Sequence, residues 1–240
     1  VSLYVAEIEN ICMNGVRIRT LSLDPATAEV EVKTTCPGAV VVSIERGGKI
    51  IAEARGKSDG RRTFCLTVPD AELWSPENPA LYTCRVRFKE DEWSGSFGVR
   101  TIACPAKEGF VLNGKRVIIR GACRHHDNGI LGARCYAEAE ERKIRLLKEY
   151  GYNAVRSAHN PCSKALLDAC DRLGMMVMDE YCDMWYIHKT MYDYADYVQE
   201  WYERDITDMI EKDYNHPCVI LYSLGNEVAE TGQAKGLEFF

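Results

Sequence analysis

The sequence predicts a multidomain β plus α/β protein: an immunoglobulin-like antiparallel β-sandwich over residues 1–103, followed over 104–240 by the first four β/α units of a TIM barrel. Three observations carry this. The first hundred residues alternate apolar and polar side chains between closely spaced turns, the remainder alternates short apolar runs with amphipathic helices, and polar residues gather just after each of those runs.

In the first part, Ala28-Glu-Val-Glu-Val-Lys-Thr34 places Val30 and Val32 on one face. Leu81-Tyr-Thr-Cys-Arg-Val-Arg-Phe-Lys89 sends Tyr82, Cys84, Val86 and Phe88 to one side and Thr83, Arg85, Arg87 and Lys89 to the other. A period of two marks strands buried on one face. Asp24-Pro25, Pro37-Gly38, Gly47-Gly48, Asp59-Gly60 and Ser75-Pro76 supply the turns. Cys65 and Cys84 stand where an inter-sheet bridge would lie, but the sandwich does not require one.

From about Cys104 the pattern changes. Val117-Ile-Ile-Arg120 reads as a strand leading into a loop over 122–132. Ala137–Tyr150 reads as a helix burying Ile144, Leu147 and Tyr150, with Gly151 just past its end. Asn153-Ala-Val-Arg156 is a second strand, and Ser163–Leu173 a helix burying Leu166, Cys170 and Leu173, closed by Gly174. Met175-Met-Val-Met-Asp179 is a third strand, apolar enough to be buried on both faces. A helix over about 196–214 buries Val198, Trp201, Tyr202, Met209 and Ile210, and Val219–Leu224 is the fourth strand. The first turn, Arg120-Gly-Ala-Cys-Arg124, lacks the glycine fingerprint of a dinucleotide site, which favours a barrel over an open doubly wound sheet.

Composition narrows the function. The 240 residues are 46% hydrophobic and 28% charged, enough to build a core, and 30 Lys+Arg against 36 Asp+Glu give a net charge of −6. Nucleic acid is not an expected partner, and no apolar stretch suggests a membrane span. The 11 cysteines are odd in number and without C-x-x-C spacing, so most are expected to act as small apolar core residues in a reducing cytoplasm.

Each run in the second part ends in a polar cluster: Arg124, His125, His126 and Asp127; Arg156, His159 and Asn160; Asp179, Glu180, Asp183 and Trp185; Asn226 and Glu227. A barrel brings such ends to one rim, where barrel enzymes hold their chemistry. A glutamate in a partly dry rim site is suited to protonate a leaving oxygen and then deprotonate water, and Asn226 is suited to hydrogen-bond a sugar hydroxyl. Local alternatives exist: an Asn-Glu helix cap, a loop tryptophan that merely covers the barrel, and an Arg156–Glu180 charge pair that holds the rim.

The order of motifs resembles glycoside hydrolase family 2, the β-galactosidase and β-glucuronidase family, over nearly the whole chain. Trp74-Ser-Pro-Glu-Asn-Pro-Ala-Leu-Tyr82 and Phe97-Gly-Val-Arg-Thr-Ile102 resemble its immunoglobulin-like domain. Leu112-Asn-Gly-Lys115, Arg120 through Asp127, Asn153 through Pro161, Cys170-Asp-Arg-Leu-Gly174, Asp179-Glu180 and Asn215-His-Pro217 through Glu227 resemble its catalytic barrel. The resemblance implies a retaining exo-β-glycosidase, β-galactosidase-like, with a β-glycoside as substrate. Glu227 matches the general acid/base and Asn226 the contact to the hydroxyl beside the anomeric carbon. His159 matches a pocket histidine and Asp127 a glycone contact, while Asp183 and Trp185 match sugar contact and stacking in one bacterial branch. The metal-binding Glu-x-His of some members is replaced by Glu180-Tyr-Cys182, so no metal or other cofactor is carried over.

The family's nucleophile and its preceding sugar-binding domain are expected outside these residues, which would leave this stretch inactive alone. Unpaired barrel edges would also favour self-association. Two rival readings are a metal-dependent barrel hydrolase using His125, His126, His159 and Glu227, and a non-catalytic scaffold that binds carbohydrate or a partner protein. Adjacent histidines on an extended segment point to opposite faces, which weakens the first.

Overall fold

The computed structural model describes residues 3–238. The chain forms two compact units: one runs to Ile118 and includes Tyr214–Pro217, and the other comprises the residues from Ile119 to Asp213 and from Cys218 onward.

The first unit is a sandwich of two antiparallel sheets. β1 (Ile11–Leu23), β2 (Ala26–Thr34) and β5 (Arg61–Thr67) form one sheet, ordered β1-β2-β5. β3 (Gly38–Arg46), β4 (Lys49–Ser58), β6 (Tyr82–Phe88) and β7 (Asp91–Phe97) form the other, ordered β4-β3-β6-β7. The expected alternation holds, with Val30, Val32, Tyr82, Cys84, Val86 and Phe88 all buried. They join Val40, Val42, Ile44, Phe64 and Leu66 in one core, where each large side chain contributes about 1.5–3 kcal/mol. Gly47 and Gly48 have φ of 57° and 76°, the paired left-handed values that let a two-residue loop match the twist of β3 and β4. Cys65 is exposed and Cys84 buried, and both are free thiols.

A short antiparallel ladder of β8 (Ile102–Ala103), β9 (Val111–Leu112) and β10 (Lys115–Arg116) completes this unit. Asn215, from the Asn-His-Pro motif, serves its backbone: the amide donates to the Val16 carbonyl and accepts from the Ile18 N–H, both at 2.8 Å.

The second unit is a parallel sheet in chain order, β11 (Gly121–His125), β12 (Ala154–Ala158), β13 (Met176–Glu180) and β14 (Val219–Ser223). Helices α1 (Ala137–Glu149), α2 (Lys164–Leu173) and α3 (Ala195–Asp213) connect the strands, and a short α4 (Ala234–Leu237) follows. Ser163 caps α2 by accepting from the Leu166 N–H at 3.2 Å, and Gly174 ends it at φ 70°, where a Cβ would be strained. No helix among the described residues is long and apolar enough to cross a membrane.

The first parallel strand departs from expectation. Val117–Arg120 is not a strand, and Ile118 and Ile119 are exposed. The side chain of Asn153 accepts from the Arg120 N–H at 2.7 Å, while the Asn153 and Ala154 N–H groups donate to the Arg120 carbonyl. The pairing with β12 therefore opens at Gly121, opposite Ala154, whatever the local hydrophobicity.

The helix faces also differ in detail. Ile144, Leu166, Cys170, Val198 and Met209 are buried as expected. Leu147, Leu173, Trp201, Tyr202 and Ile210 are only half-buried, and Tyr150 is 81% exposed because it lies beyond the last turn of α1. Of the cysteines, Cys84, Cys162, Cys170, Cys182 and Cys218 are buried; Cys65, Cys104 and Cys123 are exposed.

Candidate active site

The parallel strands β12, β13 and β14 end in one hydrogen-bonded network. Glu180, the last residue of β13, is fully buried with its carboxylate fully engaged. Its Oε2 accepts from Arg156 Nε and Ser223 Oγ, each at 2.7 Å, and its Oε1 lies 2.6 Å from His159 Nδ1. A buried carboxylate is tolerated when paired and hydrogen-bonded in this way. The Arg156–Glu180 charge pair is therefore present, and it also sets the orientation of His159.

Arg156 reaches a second partner. Its guanidinium donates to Asn226 Oδ1 at 3.0 Å, and the Asn226 amide in turn donates to Asp183 Oδ1 at 2.9 Å. With both ends held, Asn226 is buried and its amide has one orientation. Lys189, from the loop after β13, donates to the Asn226 carbonyl at 2.6 Å and pairs with Asp183 at 2.9 Å. Partial burial would raise the Asp183 carboxyl, but the hydrogen bonds from Lys189 and Asn226 outweigh it and hold it below the ordinary carboxylate range.

Glu227 follows at φ 47°, a left-handed conformation that turns the chain sharply after Asn226. It is exposed, and its side chain makes no hydrogen bond or ion pair with any described residue. The partly dry setting expected for it is thus not formed by these residues. Nor is it a helix cap, since the one-turn 3₁₀ helix that follows is capped by Val228.

The remaining site residues divide. His159 and Asp183 belong to the network. Asp127 is exposed, its Oδ1 accepts from the Gly129 N–H at 2.8 Å, and it shares no hydrogen bond with Asn226. Trp185 is 7% exposed; its indole N–H donates to the Leu224 carbonyl at 2.9 Å, and it packs with Tyr181, Cys182, Val198 and Met209. The open ring face that stacking on a sugar requires is missing, because the indole braces the turn before Asn226. A Cβ on Gly225 would meet its nitrogen at 2.8 Å.

His125 and His126 diverge as adjacent residues on an extended segment must. The His125 ring meets His159 edge-on with centroids 5.1 Å apart. His126 is half-buried with Nδ1 unpartnered, and burial, then the neighbouring Arg124 charge, lowers its pKa. Among the described residues, His125, His126, His159 and Glu227 do not gather three ligand atoms at metal-binding distance.

Sequence reasoning missed three contributors. Lys189 is a lone loop lysine with no pattern around it. Ser223 ends an apolar strand, where a serine is unremarkable. Glu230, almost fully buried, accepts from the Tyr186 and Ile187 N–H groups at 2.8 and 2.7 Å and so ties the loop after β13 to the segment after β14. An acid three residues past Glu227 was its only signal.

Comparison with known proteins bears on the family and the fold. The TIM barrel domain model of glycosyl hydrolases family 2 matches residues 106–238, and a second model of glycosyl hydrolases family 2 matches 15–100. A β-galactosidase from Bacteroides ovatus is 39% identical over 236 residues, which cover 90% of this chain and 28% of that protein. A putative β-glucuronidase from Formosa agariphila is 34% identical over 227 residues, 89% of this chain and 22% of that one. A solved glycosyl hydrolase family 2 member from Bacteroides cellulosilyticus superposes with a TM-score of 0.92 at 37% identity, covering 96% of this chain and 32% of its own. A β-glucuronidase from Ruminococcus gnavus in complex with uronic isofagomine gives 0.85 at 25% identity, with 97% and 40% covered. The chain spans less than a third of these two curated relatives. With matching models over both units and a TM-score of 0.92, the chain belongs to glycosyl hydrolase family 2.

Proposed function

We propose that the chain carries the proton-transfer half of a retaining exo-β-glycosidase site, with Glu227 as general acid/base. The observation that carries this reading is the placement of Glu227. It has no partner among the described residues and follows directly on an asparagine whose amide is fixed by Arg156 and Asp183 at the ends of three parallel strands. Glu227 would protonate the glycosidic oxygen as the bond breaks, then take a proton from the water that releases the sugar. Asn226 would hydrogen-bond the hydroxyl beside the anomeric carbon. His159 and Asp183 would contact the ring, and Asp127 would join them from the loop after β11.

Retaining hydrolysis needs a second carboxylate about 5–5.5 Å from the first. We assign it to the part of a longer protein that this chain does not span, which makes turnover by the 240 residues alone an unexpected result. Among sugars, the reading favours a β-galactoside. The 39%-identical relative is named a β-galactosidase, and the two cations nearest Asn226 are engaged, Arg156 by Glu180 and Lys189 by Asp183, so that neither is left for a sugar carboxylate.

The test is a time course with nitrophenyl β-galactoside, run on the 240-residue chain and on the longer protein containing it. The expected result is no turnover by the chain and Glu227-dependent turnover by the longer protein. Turnover unaffected by Glu227→Gln in the latter would overturn the assignment.

A further inference from the structure

Two buried carboxyl groups border the network and have no part in the proposed proton transfer. Asp179 stands one residue before Glu180 on β13, and Asp213 is the last residue of α3; both are almost wholly buried. Asp179 Oδ1 accepts from the Glu180 N–H at 3.1 Å and from the Cys162 N–H at 2.8 Å. Glu180 and the turn 159–162 are the two sides of the His159–Glu180 contact, so one oxygen spans both. Within the turn, Ser157 Oγ donates to the Asn160 carbonyl at 2.7 Å, and Lys212 donates to the Cys162 carbonyl at 3.0 Å.

Asp179 Oδ2 is placed differently. It is buried and accepts from no N–H or hydroxyl among the described residues. The Asp213 carboxyl lies within hydrogen-bond reach of Asp179. Two ionised carboxylates are both acceptors and make no bond, whereas a protonated Asp213 donates its O–H to the orphaned oxygen. Charge balance gives the same answer. Lys212 pairs with Asp213 at 2.5 Å, but it is 40% exposed and supplies one positive charge to two carboxylates. Fully ionised, the cluster would carry a net negative charge into the interior, and one proton removes it. Burial, opposed by the Lys212 charge and reinforced by the bond to Asp179, pushes the Asp213 carboxyl up to about 7. The thiols of Cys162, on the facing turn, and Cys218, just before β14, are raised well above their ordinary value by burial and stay neutral.

We propose that Asp179 and Asp213 are positioning residues: a proton held on Asp213 bonds the two carboxyl groups together and latches the turn bearing His159 to the end of β13. As pH rises through about 7 the proton leaves, the carboxylates repel, and the turn loosens. The latch rests on this geometry; its effect on turnover rests on the reading of His159 as a sugar contact.

The experiment follows backbone amide exchange by NMR in the 240-residue chain at about pH 6 and about pH 8.5, each rate taken relative to the unstructured rate at the same pH. Protection of the Cys162 amide is expected to fall about tenfold in the native sequence. That of Met176, bonded to the Asn153 carbonyl, is expected to change less than about twofold. Asp213→Asn sets a permanent donor against Asp179 and should keep Cys162 protected at both pH values. Asp213→Leu cannot donate and should leave it exchanging fast at both; if that variant does not fold, the native sequence against Asp213→Asn decides. No pH dependence at Cys162, an equal loss at Met176, or the same fall in Asp213→Asn overturns the latch. In the longer protein, KM for nitrophenyl β-galactoside is expected to rise about tenfold over the same pH range, and to rise less in Asp213→Asn. Equal rises in the two overturn the positioning role. Turnover that survives Glu227→Gln sinks the proposed acid alone and leaves the latch to the exchange result.

Discussion

Lys189 donates to the carbonyl oxygen of Asn226 at 2.6 Å and so grips the peptide that joins Asn226 to Glu227. The same ammonium pairs with Asp183, which accepts from the Asn226 side chain. One cation thereby fixes both the backbone and the amide of a residue placed beside the proposed acid. Its own loop is tied down by Asp193, which accepts from the Lys189, Thr190 and Ala195 N–H groups. The Thr190 bond first among them, these hold the Asp193 carboxyl down at about 2 against the opposing effect of desolvation.

Replacing Lys189 should therefore misplace the acid rather than unfold the protein. In the longer protein, Lys189→Met is expected to lower kcat on nitrophenyl β-galactoside by about ten- to a hundredfold with a smaller change in KM. Lys189→Arg should restore part of the loss. Steady-state kinetics decides, and a change confined to KM would count against this role.

Glu227→Gln should show a dependence on the leaving group. A dinitrophenolate departs without protonation, whereas an alkoxide does not. The variant is expected to lose about 10²–10⁴-fold on alkyl β-galactosides and far less on the dinitrophenyl substrate. Equal losses on both, measured as kcat/KM, would point to a structural defect instead.

Asp213 gives a pH signature. It is 1% exposed, and burial pushes its carboxyl up from 3.8 to about 7; Lys212 opposes the rise, while a shared hydrogen bond with Asp179 adds to it. The folded state holds this proton more tightly than the unfolded chain. Its stabilising contribution is therefore complete below about pH 3.8 and is lost as pH rises through about 7. The difference in Tm between the native sequence and Asp213→Asn should shift against the native sequence between pH 4 and pH 8. A flat or opposite trend in thermal melts would contradict the assignment.

The alternation in β2 and β6 and the caps of α2 could be read directly, because strand and helix periods are local properties of the chain. The start of β11 could not be read that way. The apolar run Val117–Arg120 is the better strand by composition, yet pairing with Ala154 onward places the strand at Gly121–His125. The site divides along the same line. Residues at strand ends, His159, Glu180 and Asn226, were visible because strand ends follow from periodicity. Lys189 and Glu230 act across the fold from a loop and a turn, and no local spacing marks them. Trp185 shows the converse: the family resemblance implied a sugar platform, and its surroundings make it a brace.

That brace is tight. Gly225→Ala would bring a methyl group to 2.8 Å from the indole nitrogen and 2.9 Å from Val228 Cγ1, so a loss of about 1–3 kcal/mol is expected in urea denaturation. Trp185→Phe removes the bond to the Leu224 carbonyl and should cost about as much. Wild-type stability in both variants would show that the turn has room to relax.

The parallel sheet has its strands in chain order, each hydrogen-bonded to the one that precedes it. Within this sheet each later strand therefore finds its partner one β/α unit back along the chain, so that pairing closes only short loops. The turn bearing Glu227 follows the last of these strands, so its setting depends on one local pairing, that of β14 with β13.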